Sequence, residues 1–136
     1  ASWIWNGYRG TLKALTDMTK PGGIVMADEP FFTQEPTEEY VTAEGFSRDD
    51  FSSHHGNVQI GEEEGLTPIY AMVSNHDDWD RYETLQWYAV DEFARNNPAD
   101  PDLPEIQMRS SQAREIYLRW GRDGFGWAIY LFRKPI

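Results

Sequence analysis

The last apolar run of the chain constrains the fold more strongly than any other feature. Residues 125 to 132 read Phe-Gly-Trp-Ala-Ile-Tyr-Leu-Phe, and the charged Arg133 and Lys134 follow directly. An unbroken apolar run is typical of a strand inside a sheet, because a strand with one solvated face alternates apolar and polar side chains. We therefore expect other strands on both sides of Phe125 to Phe132.

Two further apolar runs predict those neighbouring strands. Gly23 to Ala27 contains no polar side chain, and we expect the acidic sequence Asp28-Glu29-Pro30 to end that strand. Thr67 to Ser74 is the second candidate, with an apolar stretch from Ile69 to Val73. Because the apolar residues of both runs occupy both alternating positions, we expect both strands to be covered on both faces.

Apolar residues that recur every three or four positions predict helices between these strands. Lys20-Pro21-Gly22-Gly23 ends the first predicted helix, and Ser47 is the expected N-cap of the second. Residues 31–46 lack a clean period and are expected to form a surface excursion. The predicted helices are Trp5 to Met18, Arg48 to Glu64, Asp77 to Arg95 and Ile106 to Trp120, with a loop from Asn96 to Pro104 between the last two. The fold class is therefore α/β.

Length and composition narrow the functional classes. A chain of 136 residues predicts one domain. The 12 Lys and Arg residues against 23 Asp and Glu residues give a net charge of −11, which repels phosphate backbones and anionic lipids. We therefore expect no nucleic-acid partner and no membrane partner. Since cysteine is absent and no apolar run approaches the roughly 18 residues of a membrane span, a cytoplasmic protein without disulfides or a thiol nucleophile is expected.

The order of these segments resembles a known enzyme family. The sequence Leu15-Thr16-Asp17-Met18-Thr19-Lys20-Pro21-Gly22-Gly23 runs into the strand and acidic residues of 24–30, and the chain ends in the long apolar strand. This pattern resembles the C-terminal half of a class I S-adenosylmethionine-dependent methyltransferase. The resemblance implies a Rossmann-like sheet with flanking and inserted helices. Gly23 to Ala27 would be strand five, Thr67 to Ser74 strand six, and Phe125 to Phe132 an antiparallel strand seven between them.

The resemblance also implies that part of the enzyme is missing. In this family the glycine-rich turn and the acidic residue that hold S-adenosylmethionine belong to the N-terminal half, and no Gly-x-Gly-x-Gly follows a strand here. We therefore expect a fragment that is inactive alone, from an enzyme that methylates a small molecule. Strand five would lack strand four, so its unpaired edge is expected to form a homodimer or to pair with the missing N-terminal half.

The resemblance places the first candidate site residues near the amino terminus. Ser2 and Trp3 would follow strand four and border the cofactor, where an aromatic face can attract the sulfonium cation. Trp5 and Tyr8 are candidates for the acceptor site, although packing in the core of the first helix is the favoured explanation for both. Phe31, which directly follows the predicted end of strand five, is another candidate for the acceptor site.

Glu29 and two histidines are the candidates for proton transfer. Glu29 ends strand five at the crevice where open α/β sheets bind ligands, so its carboxylate could deprotonate an acceptor. His54 and His55 lie in a helix that could cover this crevice, and each is a better candidate for the base than His76, although a solvated surface is the favoured explanation for all three histidines. Adjacent histidines point about 100° apart on a helix and cannot face one ion, so no metal site is expected.

Two aromatic residues of the inserted helix complete the candidate set. Trp79 and Tyr82 are proposed to bind the acceptor, although their spacing also suits core packing. Two other functions remain open: a non-catalytic α/β module that binds small ligands or dimerises, and a self-contained ligand carrier. A strand, a glycine-rich turn and an acid roughly 20 residues later, encoded upstream of Ala1, would favour the enzyme. A start codon at Ala1 would favour the module.

Overall fold

The computed structural model describes residues 2–136. A 3-10 turn at Ser2–Trp5 precedes the first α-helix, and a π-helical turn at Tyr117–Gly121 with a short helical turn at Arg122–Gly124 leads into the last strand. The remaining elements are α1 (Tyr8–Asp17), β1 (Ile24–Phe32), α2 (Glu38–Glu44), α3 (His54–Glu63), β2 (Thr67–Val73), α4 (His76–Asn96), α5 (Leu103–Ile116) and β3 (Phe125–Arg133).

The three strands form one sheet in the order β1-β3-β2, with β3 antiparallel to both neighbours. Tyr130 of β3 lies opposite Ala27 of β1 and Ala71 of β2. The prediction that the last strand lies in the middle is therefore confirmed. Because β1 and β2 both run against β3, they run in the same direction, and their carboxyl ends lie at one end of the sheet.

β1 is longer than predicted, because the acidic residues continue the strand instead of ending it. Pairing with β3 persists through Glu29↔Ala128 and Pro30↔Trp127 to Phe32↔Phe125. Pro30 is compatible with this position because β1 has no second strand neighbour among residues 2–136, so the missing N–H breaks no ladder on that side.

Helices α1 and α3 cover one face of the sheet, and the core lies between them and the strands. Leu12 of α1 is fully buried, and it shares a cluster with Val25 of β1 and with Tyr130 and Phe132 of β3. Gly61 lets α3 approach closely, since a Cβ there would lie 2.2 Å from the Phe132 ring. The absence of a Cβ atom at Gly61 therefore allows α3 to lie close to the sheet.

The opposite face of the sheet is open, so the expectation of strands covered on both faces is wrong. Met26 of β1 is 64% exposed, and every residue of β2 is exposed, including Tyr70 at 55% and Met72 at 54%. The reason is that both covering helices lie on the same side, while α4 packs on α5 rather than across the open face. The sheet therefore presents an apolar surface.

Two segments near the site differ from the sequence-based prediction. The segment 31–46 is not a simple surface excursion, because Phe31 and Phe32 end β1 in the core and Tyr40 of α2 is 3% exposed. The second helix begins at His54 with Ser53 as its N-cap, six residues later than predicted from Ser47. The intervening residues are irregular because the Phe51 ring packs in an aromatic cluster.

The other helices follow the predictions more closely. α1 begins at Tyr8 rather than Trp5, because the residues before it form the 3-10 turn. α4 agrees with the predicted Asp77 to Arg95 to within one residue at each end. α5 begins at Leu103, three residues early, since Pro104 suits the first turn of a helix. None of the helices within residues 2–136 combines the length and the apolar composition that a bilayer span requires.

The close contact at Gly61 yields a prediction about stability. In an exposed helix Gly→Ala is stabilising by roughly 1 kcal/mol, but here the added methyl group meets the Phe132 ring. We expect Gly61→Ala to lower the free energy of unfolding by about 1–3 kcal/mol, measured by urea denaturation. Gly124→Ala is the control, because its Cβ would come no nearer than 4.0 Å to another residue. Equal stability of Gly61→Ala and the unmodified chain would contradict this packing.

Candidate active site

The carboxyl ends of β1 and β2 bring several of the candidate residues together. Glu29 points to the covered face of the sheet and is only 6% exposed. Burial raises the pKa of Glu29 to about 7, although a hydrogen bond with the Ser2 side chain acts in the opposite direction. A carboxyl group with such a pKa exchanges a proton readily near neutral pH, which suits a general base.

His54, Asn57 and Tyr130 form a hydrogen-bonded group beside Glu29. The His54 Nδ1 atom lies 2.8 Å from the Tyr130 hydroxyl. The Asn57 side-chain amide donates to the Tyr130 hydroxyl and to the Pro30 carbonyl, each at 3.2 Å. Asn57 is 1% exposed, and these two bonds use both N–H donors of its side chain. We call Glu29, His54, Asn57 and Tyr130 the polar cluster.

The Tyr8 hydroxyl lies beside the polar cluster but forms no hydrogen bond with it. Tyr8 is 6% exposed, and its hydroxyl has no hydrogen-bond partner within residues 2–136. Burial raises the pKa of Tyr8, and the neighbouring Tyr130 and Glu29 raise it further. An unpaired buried hydroxyl costs roughly 1–3 kcal/mol, so this place favours a further polar partner.

A cavity of about 460 Å³ opens at the same end of the sheet. Phe31 and His54 form one side, with their ring centroids 5.0 Å apart, and Trp79 lines it as well. His76 lies there too, with its Nε2 atom 3.1 Å from the Arg122 carbonyl oxygen. We call this the end cavity. Its location at the carboxyl ends of two parallel-running strands is where open α/β sheets bind ligands.

The structure brings some of the predicted site residues together and leaves others apart. Four of them lie in or beside the polar cluster, and two more line the end cavity with His54. The first group is Ser2, Tyr8, Glu29 and His54, and the second is Phe31 and Trp79. The remaining candidates are largely exposed: Trp3 at 79%, Trp5 at 41%, Tyr82 at 67%, and His55, which lies one helical position away from His54.

Sequence reasoning missed Asn57 and Tyr130, and it ranked His76 below His54 and His55. Tyr130 lies inside the apolar run and therefore reads as a core residue. Asn57 follows His54 by three residues, which places both side chains on one helix face, and that spacing was the available signal.

The polar cluster supports proton transfer more directly than metal chemistry. Within residues 2–136 no three His, Asp or Glu side chains are close enough together to hold a metal ion. Glu29 can accept a proton, and the bond from Tyr130 fixes the orientation of the His54 ring. The His54 Nε2 atom makes no hydrogen bond within the same part of the chain and is left for a ligand.

The raised pKa of Glu29 predicts a pH-dependent effect on stability. Between about 4.5 and about 7 the folded state keeps a proton that the unfolded chain loses, so stability falls as pH rises through this range. Glu29→Gln removes this pH-dependent loss of stability. We therefore expect it to change the free energy of unfolding, relative to the unmodified chain, by about 3 kcal/mol more favourably at pH ~8 than at pH ~4. Urea denaturation at both pH values measures it. Glu92→Gln, at an exposed position of α4, controls for the loss of one charge. An equal effect of Glu29→Gln at both pH values would refute the assignment.

The chain is similar to a curated protein of Escherichia coli. It is 32% identical over 132 residues to the uncharacterized protein YjhP of strain K12, and this match covers 96% of the chain and 53% of that protein. The X-ray structure of YjhP superimposes with a TM-score of 0.87. No family model matches the chain. The chain thus spans about half the length of this relative.

Two methyltransferase structures show the same fold. The S-adenosylmethionine-dependent methyltransferase of Geobacter sulfurreducens, in complex with S-adenosyl-L-homocysteine, is 27% identical with a TM-score of 0.88. That of Thiobacillus denitrificans, with the same molecule, is 29% identical with a TM-score of 0.87. Each match covers 97% of this chain and 54% of the other. The chain therefore has the fold of about half of an S-adenosylmethionine-dependent methyltransferase.

Proposed function

We propose that this chain is the C-terminal part of an S-adenosylmethionine-dependent methyltransferase that acts on a small molecule. The observation that carries the proposal is the similarity, over 97% of the chain, to two methyltransferases crystallised with S-adenosyl-L-homocysteine. β1, β2 and β3 then correspond to strands five, six and seven of the enzyme. The place of Glu29 at the carboxyl end of β1 supports the same reading.

The described residues fit one wall of a cofactor site rather than the whole site. The unpaired Tyr8 hydroxyl can donate to a polar atom of the cofactor. Ser2 and Trp3 would border it from the preceding turn. The glycines with positive φ stand before strands or at helix ends, as Gly22 does before β1. The glycine-rich cradle must therefore come from residues outside 2–136.

The proposed chemistry is the transfer of a methyl group to an acceptor held in the end cavity. S-adenosylmethionine supplies the methyl group when it is bound. Phe31 and Trp79 hold the apolar part of the acceptor, and the His54 Nε2 atom orients its polar group. Glu29 is proposed to take the proton that an oxygen or nitrogen acceptor releases, which requires the polar group of the acceptor to reach past the end-cavity lining, because Glu29 is not part of that lining. The Tyr130 and Asn57 side chains keep the His54 ring in place. His55 has no part in this scheme because it is exposed.

The outer edge of β1 and the open face of the sheet are the surfaces at which we propose that partners bind. β1 has no strand neighbour on its outer edge within the described part of the chain, so its backbone groups there can pair with another strand. The adjacent open face carries Met26, Tyr70 and Met72. We assign this surface to the N-terminal half of the enzyme, with a homodimer as the alternative partner. An edge that pairs with a further strand would extend the sheet without disturbing β3.

The first test of the function measures binding of the cofactor. Because the cradle is incomplete, we expect isothermal titration calorimetry to detect no micromolar binding of S-adenosylmethionine by the 136-residue chain alone. Binding should be restored when the segment encoded upstream of Ala1 is present. The Geobacter sulfurreducens protein serves as the positive control. Micromolar binding by the chain alone would contradict the proposal that the cofactor cradle is incomplete. Absence of binding by the extended protein would contradict the proposed function.

The second test addresses the role of Glu29. In the extended protein we expect Glu29→Gln to lower kcat by about 10²–10⁴-fold and to leave KM for S-adenosylmethionine within a few-fold, because a proton acceptor is lost. Formation of S-adenosylhomocysteine with a panel of phenols, amines and carboxylic acids measures the rate. Asp28→Asn is the matched control, since Asp28 lies on the opposite face and bonds to the Trp127 ring nitrogen at 2.9 Å. If Glu29→Gln keeps full activity, Glu29 is not the base.

A further inference from the structure

A second and larger cavity lies among α2, α4 and α5, away from the polar cluster. Its volume is about 710 Å³, and its lining includes Tyr40, Glu44, Trp79, Glu83, Tyr117 and Phe125. Trp79 and Phe125 also line the end cavity, so they form the wall between the two spaces. We call this second space the interhelical cavity. Nothing in the proposed methyl transfer uses it.

The interhelical cavity carries two carboxylates that no cation neutralises. Glu44 lies on α2 and Glu83 on α4, and neither has an ion-pair partner within residues 2–136. Burial raises the pKa of both groups, and the charge of Glu44 raises the pKa of Glu83 further. Arg109, the arginine in the lining, bonds instead to Glu105 at 2.8 Å. The cavity is therefore short of positive charge.

Two hydrogen-bond donors in the same lining also lack partners. Tyr40 is 3% exposed, and its hydroxyl makes no hydrogen bond in the described part of the chain. Burial raises the Tyr40 pKa, and so do the charges of Glu44 and Glu83, which shows that the ring lies near both carboxylates. The Trp79 Nε1 atom is buried and unpaired as well. These four groups converge on a space that a polar ligand would fill.

We propose that the interhelical cavity binds a small organic amine in its protonated form. The ammonium group would lie between Glu44 and Glu83, and it can donate a further hydrogen bond to the oxygen of the Tyr40 hydroxyl. Its apolar part would pack against the rings of Trp79, Tyr117 and Phe125, and these ring faces also attract a cation. The two carboxylates disfavour an anion in this space, and the net charge of −11 attracts cations to the protein.

The proposal does not depend on methyl transfer, so binding to the 136-residue chain tests it directly. The probe is 2-phenylethylamine, and 2-phenylethanol is the neutral comparison of similar shape. We expect saturable binding of the amine in ¹H–¹⁵N NMR titrations, with shifted signals in α2 and α4, and at least roughly tenfold weaker binding of the alcohol. Equal binding of amine and alcohol, or no saturable binding of the amine, would overturn the proposal.

Two variants locate the site. Glu83→Gln should weaken binding of the amine by about 10–100-fold, the range expected for losing a charge-assisted hydrogen bond. Glu92→Gln is the matched control, because Glu92 lies exposed on the same helix and outside the cavity. If Glu83→Gln loses its native circular dichroism spectrum, Glu44→Gln, at the more exposed position, replaces it. If Glu83→Gln and Glu92→Gln weaken binding of the amine equally, the overall negative charge of the protein explains the binding, and the proposed site is refuted.

Discussion

The insertion of β3 between two strands that run against it is the constraint on which the rest of the structure depends. Each neighbour pairs with β3 along most of its length, so β1 and β2 are held parallel without touching each other. Their carboxyl ends consequently lie at one end of the sheet. The same strand supplies Tyr130 and Phe132 to the covered face, where they pack under α1 and α3. The strand β3 thus contributes both to the backbone pairing of the sheet and to the buried core.

Burial of polar groups beneath this strand gives the candidate site its chemistry. Glu29 and Asn57 are the charged and polar residues that the core encloses, and the Tyr8 hydroxyl beside them is unpaired. Such groups lower stability unless they find partners, so their presence in an otherwise apolar interior is typical of a functional site. The bond from Tyr130 to His54 connects this interior to the end cavity.

The two cavities share a wall of aromatic rings, which links the inserted helices to the sheet. Trp79 belongs to α4 and Phe125 to β3, and both rings line both spaces. Their centroids lie 6.2 Å apart, a distance at which aromatic rings attract each other. A ligand in one cavity therefore contacts residues that also line the other cavity. The open face of the sheet lies outside the linings of both cavities.

Apolar runs and helical spacing, as local patterns, were sufficient to predict the three strands, the middle position of the last one and the long helix α4. Glu29 and His54 became candidates through the resemblance, which placed the end of β1 at a ligand crevice. The extent of β1, the late start of α3 and the open face were decided by tertiary contacts. Pairing with β3 carried β1 past its acidic residues, and packing of the Phe51 ring kept the segment before His54 irregular. Tertiary packing also decided the hydrogen bond between Asn57 and Tyr130 and the placement of Glu44 and Glu83 in one cavity. Each pair joins segments that are far apart in the chain, and such contacts leave no periodic signal in the sequence.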